Sequence, residues 1–489
     1  MPSPRSKTLT TVIGLEVHAQ LLTASKMYCG CSAGYANAAP NSHVCPVCLG
    51  LPGALPSINR AAIETCVSTG LALGSTIPPF CKLDRKNYGY PDLPKGYQIS
   101  QYDLPLCVGG ELTFSSGGRS VRAGITRVHI EEDTGRLLHR TGPTGTEISL
   151  IDLNRSGVPL MEIVGDPDLA SPAEAKDYLI ALRQLLRYIG ASTGNMEEGA
   201  FRCDANVSIR ADDGSIVGAK VEIKNMNSFR AVERALQFEE QRQRDVLGSG
   251  EMTVQETRGW DEGRAVTVPQ RTKEQAHDYR YFPEPDLPPL SFDSARVEAI
   301  RAKLPELPRA RHERFCRDYG LGAEDADLLS SDRQLADYFE AVAGPARGVD
   351  SGRAAANWIA NDVLGLQKER NLPVGEMPVS AGQLRELIEA VGAGKLSGRA
   401  AKELLPQLER GESALGGAAR LNLLALEDDS AMRSAVAEAM AAFPDAVRDF
   451  KAGKQAAVGR LIGETMRRTG GRASPDDVRR LLLESLAAE

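Results

Sequence analysis

Four short stretches of this 489-residue chain place acids, histidines and bases at every second position. In Ile13–Leu21, Gly14, Glu16, His18 and Gln20 alternate with Ile13, Leu15, Val17 and Ala19. Thr126–Arg136 sets Arg127, His129 and Glu131 against Val128 and Ile130. Arg202–Arg210 opposes Arg202, Asp204, Asn206, Ser208 and Arg210 to Cys203, Ala205, Val207 and Ile209. In Lys220–Met226, Glu222 and Lys224 share a side. A period of two is that of a β-strand, whose side chains point alternately to opposite faces. Glu132 and Asp133 end the second stretch, because three consecutive acids before Thr-Gly suit a turn better than a buried ladder. A face carrying acids, histidine and interleaved bases is costly to bury unless it binds something charged. A plain antiparallel sheet with a solvated outer face also alternates, so any one strand says little. Together, four such strands read as one sheet lining a metal and phosphate cleft.

A second constellation is made of thiols. Cys29-Gly-Cys31 and Cys45-Pro-Val-Cys48 are two close pairs joined by a Gly-, Ala- and Asn-rich loop. That arrangement matches a structural tetrahedral zinc site, with Cys-x-x-Cys the stronger half. A redox dithiol or four plain buried thiols are the alternatives. A redox motif belongs at a helix N-terminus in a βαβ unit, which this loop does not resemble. Between Leu83 and Asp103 the chain gathers four tyrosines, three cations and two prolines. Arg85, Lys86 and Lys95 could donate to phosphate, and the tyrosines, Tyr88 among them, could stack on a base or ribose. A stiffened surface rim is the equal alternative.

The elements that must position these groups are legible in outline. Ile58–Leu73 has helical spacing, and Ser115-Ser-Gly-Gly118 reads as a hairpin turn. Asp152–Asp168 reads as a loop and a strand. Ser171-Pro-Ala-Glu174 is a capping box with proline at the first helical position. The helix it opens carries Tyr178, Leu179, Leu182, Leu185, Leu186 and Ile189 on one side, and Gly190 stops it. A second amphipathic helix follows Ser228 to about Leu247. Pro283–Pro289 marks a boundary, beyond which strand-like alternation is absent. Ser331–Ala343, Ala354–Gln367 and Ala381–Val391 are helix candidates, and a Pro/Gly-bearing turn at Leu404–Gly417 introduces a last small helical unit. From Phe443 onward, 9 Lys/Arg face 7 Asp/Glu, a mildly basic tail on a chain of net charge −7. Lys451, Lys454 and Arg460 there suit phosphate-backbone contact, though a solvated helix face has the same look.

Bulk properties bound the answer. The length calls for two or three domains. Hydrophobic and charged shares of 42% and 25% are globular values. No apolar run is long enough to span a membrane, and the opening Met-Pro-Ser-Pro-Arg-Ser-Lys lacks the apolar core of a secretory signal. Nine cysteines, several single in apolar contexts, suit reduced thiols in a cytosol. No glycine-rich phosphate loop is present: Gly394-Lys395 has Glu389 where the first glycine belongs. Any phosphate chemistry must therefore rest on carboxylates holding Mg²⁺ on a sheet.

Ile13-Gly-Leu-Glu-Val-His18, Asp84-Arg-Lys-Asn-Tyr88, His129–Gly135, Arg202-Cys-Asp-Ala-Asn206, Glu222-Ile-Lys-Asn225 and Asp278–Asp286 carry a family likeness. In their order and spacing the chain, from about residue 11 onward, resembles the B subunits of bacterial aspartyl/glutamyl-tRNA amidotransferases. The resemblance implies an α+β fold. A cradle-like, mainly antiparallel domain related to glutamine synthetase and guanidino kinases would span 1–290. An all-α domain (291–404) and a small all-α, tRNA-contacting tail (405–489) would follow. It implies an ATP-dependent C–N ligase that phosphorylates the side-chain carboxylate of Glu-tRNA(Gln), Asp-tRNA(Asn) or both. Ammonia from a separate amidase (A) subunit would then displace phosphate. The expected assembly is a cytoplasmic heterotrimer with that subunit and a small C subunit, with an aminoacyl-tRNA synthetase as a further partner and no membrane contact. By the same resemblance Glu16, His18, Glu132, Asp204 and Glu222 form the Mg²⁺ site, with Glu131 beside it. Strict alternation favours Glu131 over Glu132 on the His129 side, so the choice between them stays open. His18 is an unusual Mg²⁺ ligand and could instead orient a carboxylate or water. Arg127, Arg202 and Lys224 are candidates to neutralise phosphate, alongside Arg85, Tyr88 and Lys95 for nucleotide. Cys29, Cys31, Cys45 and Cys48 are the full four-cysteine version of a zinc loop that varies in the family. A nonenzymatic zinc-containing tRNA-binding protein leaves the strand acids unexplained. A self-sufficient glutamine amidotransferase would need a nucleophile with a partner set, which no Ser or Cys here has.

Overall fold

The structure is a computed structural model and describes residues 9–143, 145–211, 218–272, 279–345, 348–373, 376–426, 429–452, 454 and 456–488. The opening seven residues, and Asp278 of the last motif, lie outside the described residues. Two compact units follow one another in the chain, divided after Leu307.

The first unit is organised by a nine-stranded sheet. Its centre is β1 (Leu9–Gln20), and the strands that matter for chemistry are β2 (Arg119–Glu132), β3 (Pro159–Gly165), β4 (Phe201–Ala211) and β5 (Val221–Lys224). β1 lies between β3 and β4, β2 lies outside β3, and β5 lies outside β4. All these pairs are antiparallel. β5 then pairs in parallel with Glu256–Asp261, which pairs with Val266–Thr272. Beyond the other edge Cys107–Val108 and Glu111–Ser116 both pair with β2. The predicted hairpin turn is present: Ser116 pairs with Arg119 across Gly117 and Gly118, both at positive φ. That conformation suits the twist of the flanking strands and costs glycine little.

Alternation decides which way each strand faces. Ile13, Leu15, Val17 and Ala19 of β1 are buried, as are Val128 and Ile130 of β2, Met161 and Ile163 of β3, and Ala205, Val207 and Ile209 of β4. All of these but Ile209 share one core with α1 (Arg60–Ala72), α2 (Pro172–Tyr188) and α3 (Phe229–Gly248). Helices cover the apolar side, so the polar side is left to form a cleft. The Ser171 hydroxyl caps α2 by accepting from the Glu174 amide, and Glu174 returns a carboxylate to the Ala170 amide. Ser228 caps α3 in the same way through the Ala231 amide. The first unit does not stop at residue 290. Helix α4 (Ser294–Arg301) packs on α1, and its Ile300 belongs to the same core, which moves the boundary to Leu307.

The second unit is helical throughout its described residues. Arg333–Ala343 and Ala381–Gly392 fall where helical spacing placed them. Val349–Trp358 continues through a π-type turn at Ile359–Val363 into Leu364–Glu369. The expected turn at Leu404–Gly417 contains instead a short helix, Ala414–Arg420, packed on Ala381–Gly392. Residues 405–420 therefore sit with the preceding helices. The terminal apolar cluster draws on Met432, Val436, Val458, Leu461, Leu481 and their neighbours.

Candidate active site

The register of the central strands turns the polar alternation into rows across the sheet. His18 stands opposite Arg202 on β4 and Glu162 on β3, and Glu162 stands opposite His129 on β2. The row reads Arg202, His18, Glu162, His129, with an acid between two imidazoles. The Oε2 atom of Glu162 lies 3.4 Å from Nε2 of His18 and 3.3 Å from Nε2 of His129. Glu131 lies beside this row, 3.5 Å from His129 and 3.9 Å from His18. Ser100 Oγ donates to Glu131 at 2.6 Å, and Gln98 Nε2 at 3.2 Å. Lys86 Nζ completes its surroundings at 3.7 Å. On the other side of β1, Glu16 faces Asp204, and Asn206 Nδ2 donates to Glu16 at 3.0 Å. Lys224 Nζ donates to Asp204 at 2.5 Å and lies 3.6 Å from Glu222. Thr257 Oγ1 fixes the other Glu222 oxygen at 2.8 Å.

These groups floor an open cleft of about 490 Å³. Its rim is aromatic: Tyr102 and Tyr281 stack at 4.5 Å, and Tyr88 meets Tyr279 edge-on at 5.9 Å. Burial raises the Tyr88 and Tyr281 hydroxyls well above their ordinary value, so both are kept as O–H donors. Arg127 also lines the cleft, and its Nε is buried with no hydrogen-bond partner among the described residues.

The charge states follow from burial against pairing. Burial alone would depress His129, but Glu162 and Glu131 outweigh it and raise the imidazole to about 9. Burial would raise Glu131, yet Lys86 and His129 hold it at about 2. Glu162 is driven well below the ordinary carboxylate range by the two histidines, against its burial. Asp133 is also depressed against its burial, by Arg202 and then Arg155. The acids are ionised, and each is compensated by a cation.

Most residues singled out in the sequence meet in this cleft: Glu16, His18, Glu131, Asp204, Glu222, Tyr88, Arg127, Arg202 and Lys224 all line it. Three do not. Glu132 is turned to the opposite side by strand alternation; its Oε1 accepts from the Ile99 amide at 2.9 Å and from Lys95 Nζ. Glu132 and Lys95 line a separate cavity of about 110 Å³ beside Tyr28, Cys29 and Cys48. Arg85 is spent on structure: it grips Glu284 with two hydrogen bonds of 2.7 and 2.8 Å and lies over the Tyr97 ring. Lys86, expected from the sequence to donate to phosphate, reaches into the cleft where its neighbour Arg85 does not. One group that sequence reasoning passed over is central: Glu162 occupies the middle of the charged row. The alternation of Leu160, Glu162 and Val164 against Met161 and Ile163 was the available signal.

Among the described residues, two groups of side chains have the chemistry of metal sites. Ligand atoms of His18, Glu131 and Glu162 all lie within 4.8 Å of one another, a two-carboxylate set suited to a hard divalent cation. The four thiols Cys29, Cys31, Cys45 and Cys48 likewise converge within 4.8 Å. The Cys45 amide donates to Cys48 Sγ at 3.1 Å, as a turn wrapped about one metal requires. In the second unit, Lys451, Lys454 and Arg460 are exposed, but Lys454 is paired with Asp449 at 2.9 Å and Arg460 lies over the Phe443 ring at 4.5 Å.

A half-covered, mainly antiparallel sheet, with acids, imidazoles and cations in rows beneath an aromatic rim, has the layout of a catalytic domain whose cleft is built around charge. The GatB/GatE catalytic domain matches residues 11–298, and the GatB domain matches residues 337–486. Over 477 residues the chain is 57% identical to the B subunit of the aspartyl/glutamyl-tRNA(Asn/Gln) amidotransferase of Thermomicrobium roseum, covering 97% of this chain and 98% of the relative. It is 52% identical over 476 residues to the protein of the same name from Moorella thermoacetica, covering 97% and 99%. The chain belongs to the GatB family of tRNA amidotransferase subunits.

Proposed function

We propose that this chain is the carboxylate-activating subunit of an aminoacyl-tRNA amidotransferase. With ATP and Mg²⁺ it would phosphorylate the side-chain carboxylate of Glu-tRNA(Gln), Asp-tRNA(Asn) or both, and ammonia from a partner amidase subunit would complete the amide. The observation that carries this reading is the pairing of acids and cations on one sheet face. A carboxylate is a poor acyl donor until one oxygen becomes a phosphate leaving group. Phosphoryl transfer rests on positioning and on charge neutralisation.

The residues divide the work. Glu131, Glu162 and His18 would hold one divalent cation, and Glu16, Asp204 and Glu222 would offer further carboxylates toward β4 and β5. When bound, Mg²⁺ supplies charge neutralisation and alignment of the transferring group. Lys86, Arg127, Arg202 and Lys224 face the same space and bind phosphate oxygens, and Arg127 does so without first giving up a carboxylate. The tyrosine rim offers flat surfaces to a nucleobase and shields the floor from water. Cys29, Cys31, Cys45 and Cys48 hold structural zinc away from the chemistry. The cradle is of the glutamine synthetase and guanidino kinase type. The terminal helical unit, with Lys451 and its neighbours, contacts tRNA. The chain works in the cytoplasm as a heterotrimer with the amidase and a small third subunit, alongside an aminoacyl-tRNA synthetase.

The decisive experiment is reconstitution of the assembly with glutamine, ATP, Mg²⁺ and mischarged tRNA. Amide formation that requires all four, and is lost in Asp204→Asn while glutamine hydrolysis persists, is the expected result. Amidation by Asp204→Asn at the unaltered rate would remove the cleft from the mechanism.

A further inference from the structure

We infer that Lys26 is a charge-compensating partner of a tetrathiolate metal centre, and that it sets the electronic character of the sulfur ligands as well as their place. This inference rests on the zinc assignment of the four cysteines, and it concerns a residue outside the cleft. Lys26 is fully buried, with 0% of its surface exposed. Its Nζ donates to the His43 carbonyl at 2.7 Å and to the Leu153 carbonyl at 3.4 Å, and lies 3.7 Å from Cys48 Sγ. Among the described residues it makes no pair with a carboxylate. The nearby acid Glu132 is already held by Lys95 and by the Ile99 amide.

An ammonium removed from water without an anion is several kcal/mol worse off, on the order of the penalty per ion in real proteins. Two neutral carbonyls solvate it but leave its charge uncancelled. Four neutral thiols would leave the same deficit. A divalent metal held by four thiolates carries a net charge of −2, and a cation against one sulfur reduces that to −1. The buried lysine and the four converging sulfurs therefore explain each other, because each is an unfavourable group alone. The surroundings are built for this contact. Gly157, at φ +84°, brings its backbone against both residues, and a Cβ there would lie 3.6 Å from Lys26 Cδ and 3.6 Å from Cys48 Cβ. The Met27 amide donates to the Gly157 carbonyl, and the His43 amide donates to Asn154 Oδ1, locking the loops on either side.

Lys26 is thus a positioning residue, and its removal has an electronic signature that a packing defect lacks. In Lys26→Met the stem is kept and the charge is removed. Zinc affinity of the full chain, read by competition with a chromophoric chelator, should fall about 10–100-fold, the usual effect of losing a partner of a metal ligand. In the cobalt-substituted protein the sulfur-to-metal charge-transfer band should move to longer wavelength, since a cation beside sulfur holds its lone pairs down. Lys26→Arg should keep the band within a few nanometres of the parent. Should Lys26→Met not fold, Lys26→Arg decides: retained metal and band position support a charge role, and loss of fold in both variants refutes it. An unshifted band with parental zinc affinity in Lys26→Met overturns the proposal outright. A failure of the zinc assignment itself shows differently, as a parent protein that binds neither zinc nor cobalt.

Discussion

Glu162→Gln tests the cleft most directly, because the substitution keeps the shape and removes one charge. One oxygen of Glu162 faces both imidazoles, at 3.4 and 3.3 Å. Removing one partner of a buried ion pair costs about 3–5 kcal/mol. The histidines can shed their protons, so the lower value, about 3 kcal/mol, is expected. A unit of roughly 300 residues unfolds with an entropy near 0.6 kcal/mol/K, which converts that loss to a Tm drop of about 5 °C in EDTA. The divalent cation adds a second difference. Loss of a carboxylate ligand weakens its binding by at least the ~10–100-fold seen for outer partners. At saturating cation the gap in stability should therefore widen by a further ~1.4–2.7 kcal/mol. The assay is a set of thermal melts in EDTA and across a Mg²⁺ titration, run beside amidation of mischarged tRNA in the assembled enzyme. Amidation should fall by about two orders of magnitude at limiting cation. Glu162→Gln with the parental Mg²⁺ midpoint and parental amidation would refute the assignment of this row, whatever its effect on Tm.

Three further outcomes are expected. Purified protein should contain about one zinc per chain, and Cys48→Ser should lose metal and stability together; a metal-free, fully stable preparation would show that the thiols are merely buried. Charge reversal at Lys451 and Lys454 should weaken tRNA binding and flatten its salt dependence, while Arg460, held over Phe443, should contribute less; unchanged binding isotherms would make the tail a stability element. In the second unit, burial would raise Glu340, but the guanidiniums of Arg314 and Arg311 outweigh it and hold the carboxyl below its ordinary value. Its contribution is therefore fully present above the unfolded glutamate pKa of about 4.3 and is lost as pH falls through the lower folded value. Glu340→Gln should cost about 2 kcal/mol at neutral pH and blunt the acid limb of the melting curve, and an unaltered acid limb would count against the pairing.

What could be read from the sequence was what a single strand declares about itself. β1, β2 and β4 alternate apolar with polar residue types, so their two faces were legible even where, as at Val128–Glu132, every residue is buried, and alternation alone already favoured Glu131 over Glu132. β3 hid its chemistry because Glu162 is one acid among apolar neighbours, which reads as a core strand. Only its register beside His18 and His129 reveals Glu162 as the centre of a row. Arg85 was misplaced for a related reason. Its partners Glu284 and Asp286 lie about two hundred positions away, and nothing local says that a guanidinium is already spent. Pro283–Pro289 is a break in local structure that the sequence displays, while the core continues through Phe292 and Ile300, which only packing reveals.

The same pairing explains how so many acids coexist on one face before any ligand arrives. Glu131 has Lys86, Glu162 has His129, Asp204 has Lys224 and Asp133 has Arg202, each within 4 Å. Carboxylates so close together would otherwise raise one another's pKa values and lose the charge a cation needs. The cations hold the Glu131, Glu162 and Asp133 carboxyls below their ordinary range and keep all these side chains in place, so little reorganisation is left for the reaction. Under the proposed reading those cations are also the phosphate ligands. Glu131 and Glu162 would hold a divalent cation whose charge could replace that of Lys86, whose ammonium would then be available to a phosphate oxygen. Lys224 stands in the same relation to Asp204 and Glu222 across β1. Under that reading, cation and phosphate binding at this face would be mutually reinforcing, each relieving the charge that the other's arrival would leave unpaired.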